Sequence, residues 1–273
     1  MLLFIFSSTR HSYKQVVVFL DVGQGSSVLF QNHKCQILFD FGNSYKTTYA
    51  LGSILKPHDK TIEYAFISHM DKDHYAGLIN LSYRYSINQT YVSQFSEFDI
   101  RAKNIHPQTI LAPTSKTLCG ANIRLVWPDK NLVSQGSKNE NSQVILLEFN
   151  SHVFLLTADI GCVSELQLIK LYPNLTANVL QSGHHGSKHS NCLEFLKKIQ
   201  PSFVVTQAGY KNRYNHPHIE FLDRLKYINT THFRTDLDGD IIFDVSKPQL
   251  QVNQNLLKLP KRLLVRFREL VTL

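Results

Sequence analysis

Cysteine is scarce: four residues in 273, at Cys35, Cys119, Cys162 and Cys192, with no Cys-x-x-Cys pair. That spacing argues against a zinc ribbon or a dense disulfide scaffold, but it leaves room for two bridged pairs and does not fix a redox compartment. Long apolar runs are also missing. The apolar start Met1-Leu2-Leu3-Phe4-Ile5-Phe6 falls far short of the ~20 residues that cross a bilayer. It has no basic leader or cleavage site of a secretory signal, and reads as a core strand or as the tail end of a membrane segment encoded upstream. Acidic residues are the minority charge, 21 Asp+Glu against 29 Lys+Arg, for a net charge of +8. A basic surface suits a polyanion such as nucleic acid, though many small-molecule enzymes share it. With 43% apolar and 18% charged residues, the chain is globular, long enough for one α/β domain with an appendage. No internal repeat is visible.

What is present is concentrated at one loop. The apolar run Tyr64 to Ile67 stops abruptly at Ser68-His69-Met70-Asp71-Lys72-Asp73-His74. Alternate residues of an extended loop converge on one point, so His69 and Asp71 can share one cation. Asp73 and His74, just past the bend, can reach a second. Gly77 is read as the pivot of a tight turn into the next segment. A solvated acidic loop is the bland alternative, but such loops rarely follow a buried strand with this density of ligand-type side chains.

The periodicity predicts strands at 15–22, 26–31, 35–39, 90–92, 109–111 and 123–127, then a hairpin-like pair at 143–149 and 152–156. It predicts helices at 45–55 and 75–83, and an exposed polar loop at 128–141. The remainder alternates: helix 164–171, strand 178–181, helix 193–199, strand 203–206, helix 217–227 with Pro217 in its first turn, and strand 241–245. A β-rich half followed by a β/α half implies two packed sheets with helices outside. The basic, leucine-rich stretch 256–273, with Arg262, Arg266 and Arg268, fits an amphipathic helix docked on the domain or on an acidic surface.

Other ligand-type residues stand at or near the ends of structured runs: Asp40 after Phe39, Asp159 after Leu156, His184 and His185 after Leu180, and His216 and His218 around Pro217. Singly each reads as a turn former or a loop residue. Together, if the strands are neighbours, they gather on one sheet edge.

In that order the residues resemble the metallo-β-lactamase superfamily, and more narrowly the metallo-β-lactamase-like domain of the ComEC family of DNA-uptake competence proteins. The narrower likeness is carried by Leu20-Asp21-Val22-Gly23-Gln24-Gly25, Ser68 to His74, Asn141-Ser142 and Leu156-Thr157-Ala158-Asp159. It continues in Gly183-His184-His185-Gly186-Ser187, Asn212-Arg213-Tyr214-Asn215-His216-Pro217-His218 and Arg234-Thr235-Asp236-Leu237-Asp238-Gly239. The resemblance implies an α/β, four-layer αββα sandwich over residues 15–246, with 1–14 an apolar N-terminal segment and 247–273 a basic tail. It implies that His69 and Asp71 hold one metal and Asp73 and His74 a second. Asp159 would bridge both, and His184 would be the late histidine ligand. Asp40 would orient the loop from behind, with Asn141 and Ser142 nearby. Asp73, His185 and His216 are the implied catalytic groups; Lys211, Arg213, His218 and Ser187 are the implied phosphate contacts.

Two departures from the family pattern bear on the metal. Asp71 stands where a histidine is common, a harder donor that admits Mn²⁺ or Mg²⁺ beside Zn²⁺. Asn139-Glu140-Asn141-Ser142 stands where another histidine is usual. Milder are Asp40-Phe41-Gly42 for Asp-Thr-Gly, and Ala158 for a glycine, tolerable unless that residue needs positive φ. The implied activity is two-metal hydrolysis of a phosphodiester, with DNA, single-stranded by resemblance, as substrate. A membrane DNA-uptake pore would be the partner, on the extracytoplasmic side of the cytoplasmic membrane. Hydrolysis of a small phosphodiester or lactone, and DNA binding without cleavage, are the alternatives.

Overall fold

Strand β1 (Gln15–Phe19) shows how the layers are built. Side chains alternate faces along a strand: Val17 and Phe19 enter one apolar cluster, Val16 and Val18 another. Both faces are therefore covered, which explains its unbroken hydrophobic run. The computed structural model describes residues 15–93, 105, 107–132 and 137–254. The expected apolar start and the helix at 256–273 with Arg262, Arg266 and Arg268 lie outside the described residues.

In chain order β1 is followed by β2 (Val28–Asn32), β3 (Cys35–Phe39), helix α1 (Lys46–Ile54) and β4 (Thr61–Ile67). Short helices α2 (Lys72–Tyr75) and α3 (Gly77–Ser82) lead to β5 (Ser86–Ser93) and β6 (Pro107–Ile110). Next come β7 (Thr114–Leu118), β8 (Ala121–Trp127), β9 (Val144–Phe149), β10 (His152–Leu156) and α4 (Cys162–Leu171). The alternating part is β11 (Val179–Gln181), α5 (Leu193–Ile199), β12 (Phe203–Thr206), α6 (Ile219–Leu225), β13 (Thr231–Arg234) and α7 (Thr235–Asp238). Strands β14 (Ile241–Asp244) and β15 (Gln251–Gln254) close the described chain.

The strands form an eight-stranded sheet, β15-β14-β1-β2-β3-β4-β5-β6, and a seven-stranded sheet, β13-β12-β11-β10-β9-β8-β7. Phe19, Phe30, Phe154 and Phe243 fill the core between them. Leu51, Leu78 and Leu81 of α1 and α3 cover the outer face of the first sheet. Leu168, Phe195 and Phe221 of α4, α5 and α6 cover the second. This is the expected αββα sandwich. Strand β14 pairs antiparallel with β1 and so returns the end of the chain to the first sheet. A Cys35–Cys119 disulfide ties the start of β3 to the β7–β8 turn, and hence one sheet to the other.

Some expectations need correcting. Strands β7, β13 and β15 went unanticipated; β7 and β15 are polar and at sheet ends, without a hydrophobic run to announce them. The sheet continues past residue 246, because β15 pairs with β14. Pro217 precedes α6 instead of occupying its first turn, since His218 is the N-cap. Gly77 is needed for close approach: a Cβ there would lie 2.0 Å from the Phe41 carbonyl oxygen.

Candidate metal centre

Parallel pairing of β3 with β4, and of β10, β11, β12 and β13 with one another, aligns their carboxyl ends. Asp40 follows β3, His69 follows β4, Asp159 follows β10, and His184 and His185 follow β11. The loop carrying His69 to His74 is held from two sides. Gly25 packs so tightly that a Cβ would sit 2.4 Å from the Asp73 carbonyl oxygen, which also accepts the Ser26 N–H at 3.0 Å. On the other side the Phe41 N–H donates to the His74 carbonyl.

Asp40 organises the loop from behind. One carboxylate oxygen accepts the Ser68 N–H at 2.7 Å; the other accepts the Ser68 hydroxyl at 2.7 Å and faces His74 Nδ1 at 2.6 Å. A carboxylate only accepts, so His74 Nδ1 carries a proton and the Nε2 lone pair is left for a second proton or a metal ion. Having given its own proton to Asp40, the Ser68 hydroxyl can only accept from His69 Nδ1, 3.0 Å away. His69 Nε2 is thereby a lone-pair donor too. His185 Nδ1 lies 2.9 Å from the Gln207 carbonyl oxygen, which fixes the same tautomer.

Those three lone pairs converge on a carboxylate. His74 Nε2 stands 3.2 Å from Asp159 Oδ1, His185 Nε2 3.8 Å from the same oxygen, and His69 Nε2 3.9 Å from Oδ2. All three nitrogens and Asp159 Oδ1 are buried and make no hydrogen bond. Electron pairs aimed at an anion are stable only with a cation among them, a proton or a metal ion. The donors gather as two overlapping groups, His69 with His74 and Asp159, and Asp73 with His74 and His185. Asp71 Oδ2 lies 3.7 Å from His69 Nε2, and Asp73 Oδ2 3.3 Å from His185 Nε2. His184 Nε2 approaches Asp159 Oδ2 at 3.8 Å from the more open side. This set of imidazole and carboxylate donors fits one or two divalent ions.

Charge states follow the same logic. Burial pushes the Asp159 carboxyl up, but His74 and His185 outweigh it and hold the group well below the usual range. Burial likewise opposes ionisation of Asp73, and the nearby imidazoles of His185 and His74 outweigh it and bring the group down to about 2. Burial pushes His74 down, while Asp159 and Asp40 raise it well above the usual imidazole value. His216 is pushed to about 4 by burial and by His185, His184 and His218.

The remaining expected residues form a rim. Lys211 and Arg213 are exposed beside the rings of Tyr210 and Tyr214, and Tyr214 stacks against His216 at 5.8 Å. The His216 ring lies 5.6 Å from His184. His218 Nδ1 accepts the Lys188 N–H, and the buried Ser187 hydroxyl accepts the His189 N–H. In the stretch with no histidine, Glu140 turns away and takes the Ser164 hydroxyl and the Gly161 N–H. Ser142 is buried with an unbonded hydroxyl, and the neighbouring Gln143 N–H donates to Ser68. Ser68 and the buried Ser26–Gln181–Gln207 network, whose Gln207 amide donates to the Leu20 and Ser27 carbonyls, are functional positions with no role assignable from sequence alone. Buried glutamines carry no local signature; only the pairing of distant loops identifies them.

Comparison with known proteins agrees with this geometry. Residues 20–100 match the family model of the metallo-beta-lactamase superfamily. ComE operon protein 3 of Bacillus subtilis is 39% identical over 105 residues, covering 38% of this chain and 14% of that protein. Competence protein ComA of Neisseria gonorrhoeae is 28% identical over 231 residues, covering 83% of this chain and 32% of that protein. The chain thus spans less than a third of the length of either relative. Among solved structures, the metallo-beta-lactamase fold protein YhfI from Bacillus subtilis superposes with a TM-score of 0.57 at 14% identity, over 81% of this chain and 95% of that one. Among the described residues no helix is long and apolar enough to cross a membrane.

Proposed function

Starting from a chain that belongs to the metallo-β-lactamase superfamily and has ComEC-family competence proteins as relatives, we propose that it is a metal-dependent nuclease that cuts single-stranded DNA during uptake. The observation that carries the reading is the convergence on Asp159 of three buried Nε2 atoms that make no hydrogen bond. We assign His69, Asp71 and Asp159 to one ion and Asp73, His74 and Asp159 to the other, with His184 and His185 both in reach. Zn²⁺ or Mn²⁺ suits the mixed donors, and Mg²⁺ suits the carboxylates. When bound, such ions supply Lewis acidity toward a phosphoryl oxygen and lower the pKa of an attacking water.

The chain's own residues do the rest. Asp40 and Ser68 fix the tautomers of His74 and His69, so their lone pairs need no reorganisation. Asp73, ionised at neutral pH, is placed to orient the nucleophile. His216 is neutral above about pH 4, so its part is to donate a hydrogen bond to the leaving oxygen, not to surrender a proton. Lys211 and Arg213 attract the phosphate backbone, with His218 and Ser187 closing the rim. Tyr210 and Tyr214 offer ring faces to unpaired bases.

Its place in a competence apparatus would be beside a membrane pore, facing the outside. The test is incubation of the protein with labelled single- and double-stranded DNA and Mn²⁺ or Zn²⁺, alongside metal analysis by mass spectrometry. Metal-dependent cleavage abolished by His69→Ala with Asp73→Ala is expected. Cleavage that survives this double substitution overturns the reading.

A further inference from the structure

A second cluster of reactive side chains lies outside the metal centre. Cys162, Glu165 and Cys192 bring two sulfurs and a carboxylate oxygen within 4.8 Å of one another. Both thiols are free and half-buried, and Glu165 is fully buried. Cys162 is the first residue of α4, after the N-cap Gly161; Cys192 is the N-cap of α5. We propose that Cys162 and Cys192 are a redox modification site: a dithiol that closes reversibly to a disulfide by exchange with a low-molecular-weight disulfide, fastening the 187–192 segment to the first turn of α4.

Three observations favour this over a third metal. Arg224 lies against Cys162, and its guanidinium stabilises a thiolate while repelling a dication. The Glu165 carboxylate already accepts two backbone N–H groups, from Asn191 at 2.5 Å and Cys192 at 2.9 Å. Finally, the chain already holds a Cys35–Cys119 bridge, and disulfides persist where the surroundings are oxidising.

The chemistry balances. The Cys162 thiolate attacks one sulfur of the external disulfide, forming a mixed disulfide and releasing one thiolate. Cys192 gives its proton to the thiolate released in the first exchange and attacks the Cys162 sulfur, which releases the second. Two electrons pass to the external disulfide, and the two protons end on the departing thiols. The Cys192 thiol, hydrogen-bonded to Cys162, holds that group down at about 6 despite burial, helped by Arg224. Burial pushes the Glu165 carboxyl up to about 8, so at neutral pH it carries no charge that would oppose the Cys162 thiolate.

The segment also touches the metal centre. Asn191 accepts the Gly183 N–H at 2.8 Å and donates to the Gly183 carbonyl at 3.0 Å. Gly183 precedes His184 and His185, both held at positive φ. Closing the dithiol would hold this turn.

The test is independent of activity. The whole chain is equilibrated across ratios of oxidised to reduced glutathione, alkylated, and mapped by mass spectrometry. Expected are joint loss of both alkylatable thiols as the ratio rises, a linked peptide pair containing Cys162 and Cys192, and a glutathione adduct trapped on Cys162 in Cys192→Ser. The proposal is overturned if both thiols stay alkylatable at every ratio, if wild type stops at a Cys162 adduct, or if zinc shields both cysteines and is lost in Cys162→Ser. Should Cys192→Ser not fold, the wild-type map alone decides.

Discussion

Asp159 and Glu165 are both buried carboxylates, on either side of the start of α4, yet their charge is set in opposite directions. Asp159 is held well below the ordinary carboxylate range, whereas Glu165 is pushed up to about 8. Burial disfavours the charged form of each. The deciding difference lies in their neighbours: Asp159 faces His74, His185 and His69, while Glu165 has two backbone N–H groups and a thiol of lowered pKa. Hydrogen bonds alone do not repay the desolvation of Glu165; nearby positive charge does repay that of Asp159. A buried carboxylate ringed by imidazoles therefore stays ionised by holding a cation among them, protons on the rings or a metal ion, and one ringed by N–H donors keeps a proton of its own.

The comparison breaks most severely at Asp159. Asp159→Asn keeps the shape but removes the charge, and should eliminate bound metal and lower kcat/KM by roughly 10⁴-fold or more. Metal content and DNA cleavage measured on the same preparation check it; unchanged metal content would refute the assignment of Asp159 as the shared ligand.

Glu165 gives the next largest effect, in stability. Its folded pKa of about 8 lies above the ordinary 4.5, so the folded state binds the proton more tightly than the unfolded chain. That contribution is complete below about pH 4.5, and is lost as pH rises through about 8. Its size is roughly 3–5 kcal/mol. Glu165→Gln should flatten this part of the profile, read as the wild-type-minus-variant difference in denaturant midpoint from pH 5 to pH 9. Parallel profiles would mean that Glu165 is ionised throughout.

Asp40→Asn should weaken metal binding by roughly 10- to 100-fold without displacing a ligand, because the amide is a poorer partner for His74 Nδ1–H and the Ser68 hydroxyl. Competition with a chromogenic chelator measures this. An affinity equal to wild type would deny Asp40 its orienting part.

These contrasts also mark what the sequence could show. The loop from His69 to His74 and the buried runs of β1, β3 and β12 were legible because side-chain type and strand period agree locally. Strands β7 and β15 were not, since Thr114-Ser115-Lys116-Thr117-Leu118 and Gln251-Val252-Asn253-Gln254 become strands by pairing with a neighbour. The nearness of His185 to Asp73 was hidden for another reason. It depends on positive φ at His184 and His185, a backbone choice that histidine does not advertise. Glu165 looked like an ordinary residue of an amphipathic helix, and its isolation arises only where α4 meets the 189–192 segment.

Ala158 tests that backbone argument at its smallest scale. It stands where the family prefers glycine, and its φ is +46°, so the position does require the left-handed region. Its carbonyl accepts the His184 N–H at 2.8 Å and its N–H reaches the Gln181 side chain at 3.2 Å, which pins the conformation beside Asp159. An L-residue in this region costs about 1–2 kcal/mol; glycine escapes that cost but loses about 0.5–1 kcal/mol more backbone entropy on folding. The terms nearly offset, so Ala158→Gly should leave stability within about 1 kcal/mol of wild type and metal affinity unchanged. Ala158→Val adds a branched side chain at the same φ and should cost at least about 2 kcal/mol. Urea denaturation of the pair decides the matter: if valine were tolerated as well as glycine, the turn that presents Asp159 would not be conformationally fixed, and the contrast with Glu165 would rest on charge alone.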